Sequence, residues 1–144
     1  MIALPDVNTL IAAAWPNHVH HHVARNWLLN ESPNGWATCP ITQSGFLRIS
    51  MNPAVVRREV RFVDAVTLLR NYVSSPSHHF WDVIPGPDSW PEWLGERIQG
   101  HRQVTDATLL ATALHHGGVL VTLDSGVATL LDRDHSHTLQ LIHP

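Results

Sequence analysis

Short apolar runs alternate with stretches of helical periodicity along the whole chain. Residues 2–6 read as a buried strand, and NTLIAAAW continues from it as a helix. Asn17 is placed to cap a second helix, in which Val19, Val23, Trp27 and Leu28 recur at helical spacing. SPNG at 32–35 marks a turn, and WATCP after it is a short strand. Thr42 is read as the N-cap of a third helix, carried by Ile41, Phe46, Leu47 and Ile49 and ending near Asn52-Pro53. From Val55 to Val73 the pattern is helical again, with apolar residues at 62, 63, 66, 68, 69 and 73. HFWDVI at 79–84 reads as a strand, and PGPDSWPEW as a loop with a short helix after it. Val104 to His115 is a strongly apolar helix stopped by Gly117-Gly118. VLVTL is a buried strand, SGVATLL a short helix and TLQLI a last strand.

Strands separated by helices throughout predict an α/β protein. Its central, mostly parallel sheet of about five strands is covered by helices on both faces. No internal repeat, low-complexity tract or linker breaks the pattern, so residues 1–144 are expected to form one domain. The apolar stretches are short and broken by polar residues, which predicts no transmembrane helix. The N-terminal apolar run lacks a basic flank and a small-residue cleavage site, and is read as a strand and not as a signal peptide.

Composition narrows this picture. With 44% hydrophobic and 15% charged residues the chain has a core to bury and is not disordered. The single Cys39 excludes an intrachain disulfide and suits a reducing, cytoplasmic setting. A net charge of −3 argues against a generic nucleic-acid coat protein. It does not argue against an enzyme acting on RNA, whose site can hold cations that then meet the phosphates. All nine basic residues are arginine, a choice that coding bias explains.

Three aspartates interrupt runs that would otherwise be core: Asp6 and Asp124 directly after strands, and Asp106 in the first turn of a helix. An ionised carboxylate beside a core is costly unless it is paired or binds a cation. The chain has no lysine to pair with them. In open parallel sheets ligands sit at the carboxyl ends of strands. If the first and fourth strands are neighbours, the three acids converge there. Oxygen ligands suit a hard divalent cation, Mg²⁺ or Mn²⁺, which points to metal-assisted phosphodiester chemistry. Asn8 and Thr105 stand beside these acids in sequence, and Thr122 shares the strand face of Asp124. Taken singly, Asp6 also reads as a helix N-cap, Asp106 as a first-turn acid and Asp124 as a turn residue.

Four pieces, in this order and spacing, are PDVNTLIAAAWPNHVHHHVARNWL, WATCPITQSGFLRISMNP, QVTDATLLATALHHGGVLVTLDSG and the closing strand. Together they resemble the PIN-domain ribonucleases, in particular the VapC-type toxins of bacterial toxin–antitoxin pairs. The resemblance implies an acidic Mg²⁺ site and endonucleolytic cleavage of RNA, leaving a 5′-phosphate and a 3′-hydroxyl. It also implies a cognate antitoxin that blocks the site, and a homodimer. It makes Asp6, Asp106 and Asp124 the catalytic, metal-holding residues. The family places a glutamate in the segment that here reads ITQSGFLR, where this chain has Gln43. Glutamine keeps an oxygen but loses a charge, which makes a second metal ion less secure and weak activity an open alternative.

Other clusters carry competing readings. His18 and His22 have the i, i+4 spacing of zinc ligands, but no HExxH motif or cysteine accompanies them, and a solvated helix face explains them. Arg48, Arg57, Arg58 and Arg61 form either a solvated face or an RNA-backbone track, with Arg48 favoured because it shares a helix with Gln43. Trp81, Trp90 and Trp93 surround a Pro-rich loop and are open to core, RNA-stacking and partner-anchoring roles, while Trp15 and Trp27 are expected in the core. The function classes are thus a metal-dependent ribonuclease, a non-cutting PIN-like binding module, and a small-molecule phosphatase. The last is weakened because Asp6-Val7-Asn8 has no second aspartate two positions on.

Overall fold

The computed structural model describes residues 1–143. Its five strands are β1 (Ala3–Pro5), β2 (Trp36–Thr38), β3 (His78–Phe80), β4 (Val119–Thr122) and β5 (Leu139–Leu141). They form one all-parallel sheet in the order β3-β2-β1-β4-β5. The chain starts in the middle, builds outward to one edge, and returns to lay β4 on the other side of β1. Side chains alternate across the sheet as a period of two requires. Ala3, Trp36 and Val121 enter one core, and Leu4, Ala37 and Leu120 the other. The expected α/β architecture, with both faces covered, is what this alternation yields.

The first core is closed by α1 (Val7–Ala14), α2 (His21–Glu31), α3 (Pro40–Ser50) and α5 (Phe62–Val73), through Ile11, Trp27, Phe46 and Leu69. Trp15 and Trp27 are both buried there, as expected. The second is closed by α6 (Glu92–Glu96) and α7 (Val104–His115), through Leu94, Leu109 and Leu110, with Trp81 beneath them. Among the described residues no helix is long and apolar enough to cross a membrane.

Several sequence expectations are corrected. Asn17 does not cap a helix: α2 begins only at His21, and Asn17 donates its amide proton to the Val55 carbonyl. Val19 therefore lies outside the helix at 86% exposure. Thr42 is not the N-cap of α3. Cys39 holds that place, Pro40 starts the helix with its preset φ, and the Thr42 hydroxyl reaches back to accept the Cys39 N–H. The helix expected over 55–73 is two helices. A short α4 (Pro53–Val56) stops at Arg57, whose φ of 60° is left-handed, and α5 starts at Phe62. The strand expected at 79–84 is shorter and begins a residue earlier. Trp81 N–H makes the last bond to the Thr38 carbonyl before the chain turns away. The segment 125–130 is a 3-10 helix, capped at its start by the Asp124 carboxylate.

Candidate active site

Each acid is positioned by a different part of the sheet. Asp6 follows β1, and its N–H extends the β1–β4 ladder to the Val121 carbonyl at 2.9 Å. It is the N-cap of α1: Oδ1 accepts from Thr9 N–H at 2.8 Å. Its second oxygen accepts from the Thr122 hydroxyl, on β4, at 2.6 Å. Thr122 Oγ1 in turn accepts from Asp124 N–H at 3.0 Å. One threonine thus ties together the ends of both central strands. Asp124 starts the following 3-10 helix and accepts from Gly126 N–H at 2.8 Å. Asp106 sits in the first turn of α7, where the helix dipole favours a carboxylate. Among the described residues its carboxylate has no hydrogen-bond partner. The cap and turn readings of Asp6 and Asp124 are therefore correct, and compatible with a shared site.

All three aspartates line one cavity of about 190 Å³, together with Val7, Asn8, Thr105 and Leu109. Its electrostatics follow from this crowding. The Asp106 carboxyl is pushed up to about 6, first by burial and then by the charges of Asp6 and Asp124. Asp6 is also raised, chiefly by burial, against the lowering effect of its bonds to Thr122 and Thr9. Among the described residues none of the three aspartates forms an ion pair, so the apo site gathers negative charge.

The donor set fits a hard cation. Among the described residues no three His, Cys, Asp or Glu side chains stand close enough to bind a metal ion together directly. Mg²⁺ does not require such a cage, since it keeps several waters and is usually held through one or two carboxylates. The Asp6 oxygens each accept one proton here, and a carboxylate oxygen has a second lone pair left to offer.

The remaining candidates divide. Gln43 is not brought into this cavity. Its amide donates to the Thr38 hydroxyl at 2.9 Å, and that hydroxyl lies 2.8 Å from His78 Nε2. Arg48 lines a neighbouring cavity of about 370 Å³ with Pro40, Ile41, Ser44 and Gly45. Val7 and Thr105 belong to both cavities, so the two adjoin. Of the other basic residues, Arg61 pairs with Asp64 at 3.0 Å and Arg58 lies over the Trp15 ring. The first lies at the start of α5, and the second crosses from the connection between α4 and α5 to the end of α1. Trp81 is buried and stacked on His116, and Trp93 stacks on His135.

Two contributors escaped the sequence reading. Gly45 allows α3 to approach Val7, since a Cβ there would lie 2.5 Å from Val7 Cγ2. His18 reaches Asn8 at the cavity edge. The HVHHH run was a visible signal for the second; nothing local marks the first.

A parallel sheet whose two central strands end in carboxylates, with a third on a helix start facing them, defines a PIN-type fold. The chain belongs to the PIN domain family, whose pattern it matches over residues 3–130. It is 44% identical over 133 residues to Ribonuclease VapC39 of Mycobacterium tuberculosis, covering 89% of this chain and 92% of that one. It is 41% identical over 143 residues to Ribonuclease VapC38 of the same organism, covering 98% of both chains. To Ribonuclease VapC44 it is 37% identical over 128 residues, covering 89% of each.

Proposed function

We propose that the protein is a Mg²⁺-dependent endoribonuclease, the toxin of a toxin–antitoxin pair, with Mn²⁺ able to substitute. The observation that carries this reading is the shared cavity of Asp6, Asp106 and Asp124, in which burial, and then the charges of its two neighbours, hold Asp106 well above the ordinary carboxylate range. When bound, Mg²⁺ supplies a Lewis acid for the phosphoryl oxygen and lowers the pKa of the attacking water. The chain does the rest. Asp6 and Asp106 would hold the ion, and Asp124 would hold its waters. Thr122 fixes the Asp6 carboxylate, so its free lone pairs keep one direction. Thr105 stands between this cavity and its neighbour, where Arg48 meets the RNA backbone.

The similarity to VapC ribonucleases supports RNA as substrate and a cognate antitoxin, and the proposal extends to a homodimer in a cytoplasmic setting. An inhibitory partner is expected to place an arginine or lysine in the acidic cavity, because a cation replaces the metal's charge. The test is incubation of the protein with an RNA pool in Mg²⁺ or EDTA, followed by mapping of cut ends. Cleavage in Mg²⁺ alone, with 5′-phosphate products, is expected, and its loss in Asp106→Asn. In Arg48→Ala, RNA binding weakens and its salt dependence falls by about 0.7 in log–log slope, the share of one phosphate contact on a single strand.

A second reading, an RNA- or partner-binding module that cuts weakly or not at all, is favoured by Gln43, whose amide is engaged with Thr38. RNA binding without Mg²⁺-dependent cleavage would select it.

A further inference from the structure

We infer that Asn8 presents its amide N–H₂ to the acidic cavity as the donor for a non-bridging oxygen of the RNA phosphodiester, and that His18 is the positioning residue that turns it so. This rests on the ribonuclease reading for its ligand, but the orientation follows from hydrogen-bond chemistry alone. The His20 backbone N–H donates to His18 Nδ1 at 3.0 Å. A backbone N–H is only ever a donor, so Nδ1 carries no proton. A neutral imidazole then bears its proton on Nε2. His18 Nε2 lies 3.0 Å from Asn8 Oδ1, so Nε2–H donates and the carbonyl oxygen of Asn8 accepts. The amide cannot be flipped, because that would set N–H₂ against N–H. Among the described residues the Asn8 nitrogen has no partner, and its side chain lines the cavity of the three acids.

Burial, then His20 and His21, hold the His18 ring below its ordinary pKa, which keeps it neutral. The polarity matters for the role. An N–H₂ group repels a cation and cannot accept from a water on a metal in place of an oxygen. It suits an anion. In a cavity that holds three carboxylates, a neutral donor at the rim holds a phosphate oxygen without competing for the ion. Negative charge grows on the phosphoryl oxygens during attack, so this bond strengthens in the transition state. Asn8 was expected from sequence to stand behind the metal ligands; the geometry points it at substrate.

The experiment has two arms. Nitrogen-15 NMR of the histidine rings in the wild-type chain reports the tautomer whether or not RNA is cut. The Nε2–H form of His18 is expected, and a protonated Nδ1 would overturn the inference. In the second arm Asn8→Ala, Asn8→Asp, His18→Ala and His18→Gln are compared for Mn²⁺ binding and RNA cleavage. Asn8→Ala is expected to lower kcat by about 10- to 100-fold, the worth of a hydrogen bond to a charged group, with Mn²⁺ affinity unchanged. Asn8→Asp is expected to be at least as inactive, because it sets a negative charge against the phosphate. His18→Ala is expected to lose about 5- to 10-fold, with no further loss when combined with Asn8→Ala, and His18→Gln to recover part of it through its own N–H. Cleavage by Asn8→Asp at or above the wild-type rate would show that position 8 serves the cation and would overturn the proposal. Wild-type protein that binds Mn²⁺ but cuts no RNA would instead defeat the ribonuclease reading and leave the tautomer result standing.

Discussion

Asp6 and Asp106 share a cavity under opposite constraints. Asp6 uses both oxygens in the fold, as cap of α1 and as acceptor for Thr122. Asp106 has no such bonds among the described residues, and burial and then the charges of Asp6 and Asp124 disfavour its ionised form. Asn at 106 is therefore expected to abolish Mg²⁺-dependent cleavage while leaving the apo protein as stable as before or more so, as thermal melts in EDTA will show. Asn at 6 replaces one acceptor by a donor facing the Thr122 hydroxyl. It is expected to cost about 1–3 kcal/mol in urea unfolding as well as activity. The raised pKa of Asp106 sets a pH dependence. The folded state holds this proton more tightly than the unfolded chain does, so the group's contribution to stability is full below the ordinary value of 3.8 and falls as pH rises to about 6. Melts in EDTA between pH 4.5 and 7.5 should show this decline in the wild type and a flatter profile in Asp106→Asn. A wild-type profile no steeper than the variant's would contradict the assignment.

At the scale of elements, α3 carries the departure from the family pattern. Gln43 is turned toward Thr38 on β2 as a donor. A glutamate there would instead accept the Thr38 proton and add a charge near the site. Gln43→Glu is expected to tighten Mg²⁺ binding in a calorimetric titration; equal affinity and stoichiometry would place position 43 outside the reach of the metal. The break between α4 and α5 makes a separate prediction. Arg57 pays for a left-handed backbone that glycine adopts freely, so Arg57→Gly is expected to gain about 1 kcal/mol in urea unfolding. This break also shows where sequence stops being informative. Strands β1 and β4 were legible because burial on both faces leaves an unbroken apolar run. The helix starts were not. Asn17 and Thr42 are good caps by residue type, but Asn17 is drawn to Val55 and Thr42 answers to Cys39. The aspartates were legible as anomalies in apolar runs, whereas the use of Val7 and Gly45 between the two cavities depends on which helix packs on which, and leaves no local trace.

For the whole molecule, the site lies where the strand order reverses, between β1 and β4. Three acids that form no ion pair among the described residues are expected to destabilise the apo fold. Mg²⁺ binding should return that cost: at 100 times its dissociation constant the ion stabilises by about 2.7 kcal/mol if the unfolded chain binds none. The expected outcome is a melting temperature that rises with Mg²⁺ in the wild type and is insensitive to it in Asp106→Asn. Identical Mg²⁺ responses in both would place the ion elsewhere.

The same reversal of strand order has a consequence in time. The Thr122–Asp6 bond joins residues separated by 116 positions in sequence. At a synthesis rate of about 5–20 residues per second, roughly 6 to 23 s pass between the making of its two halves. In that interval β1, β2 and β3 become available to pair and Asp106 is made late, but Thr122 and Asp124 are still missing. If the three acids form the site, a nascent chain is expected to be inert until β4 emerges and docks, and a chain cut short before that strand to show no cleavage of RNA.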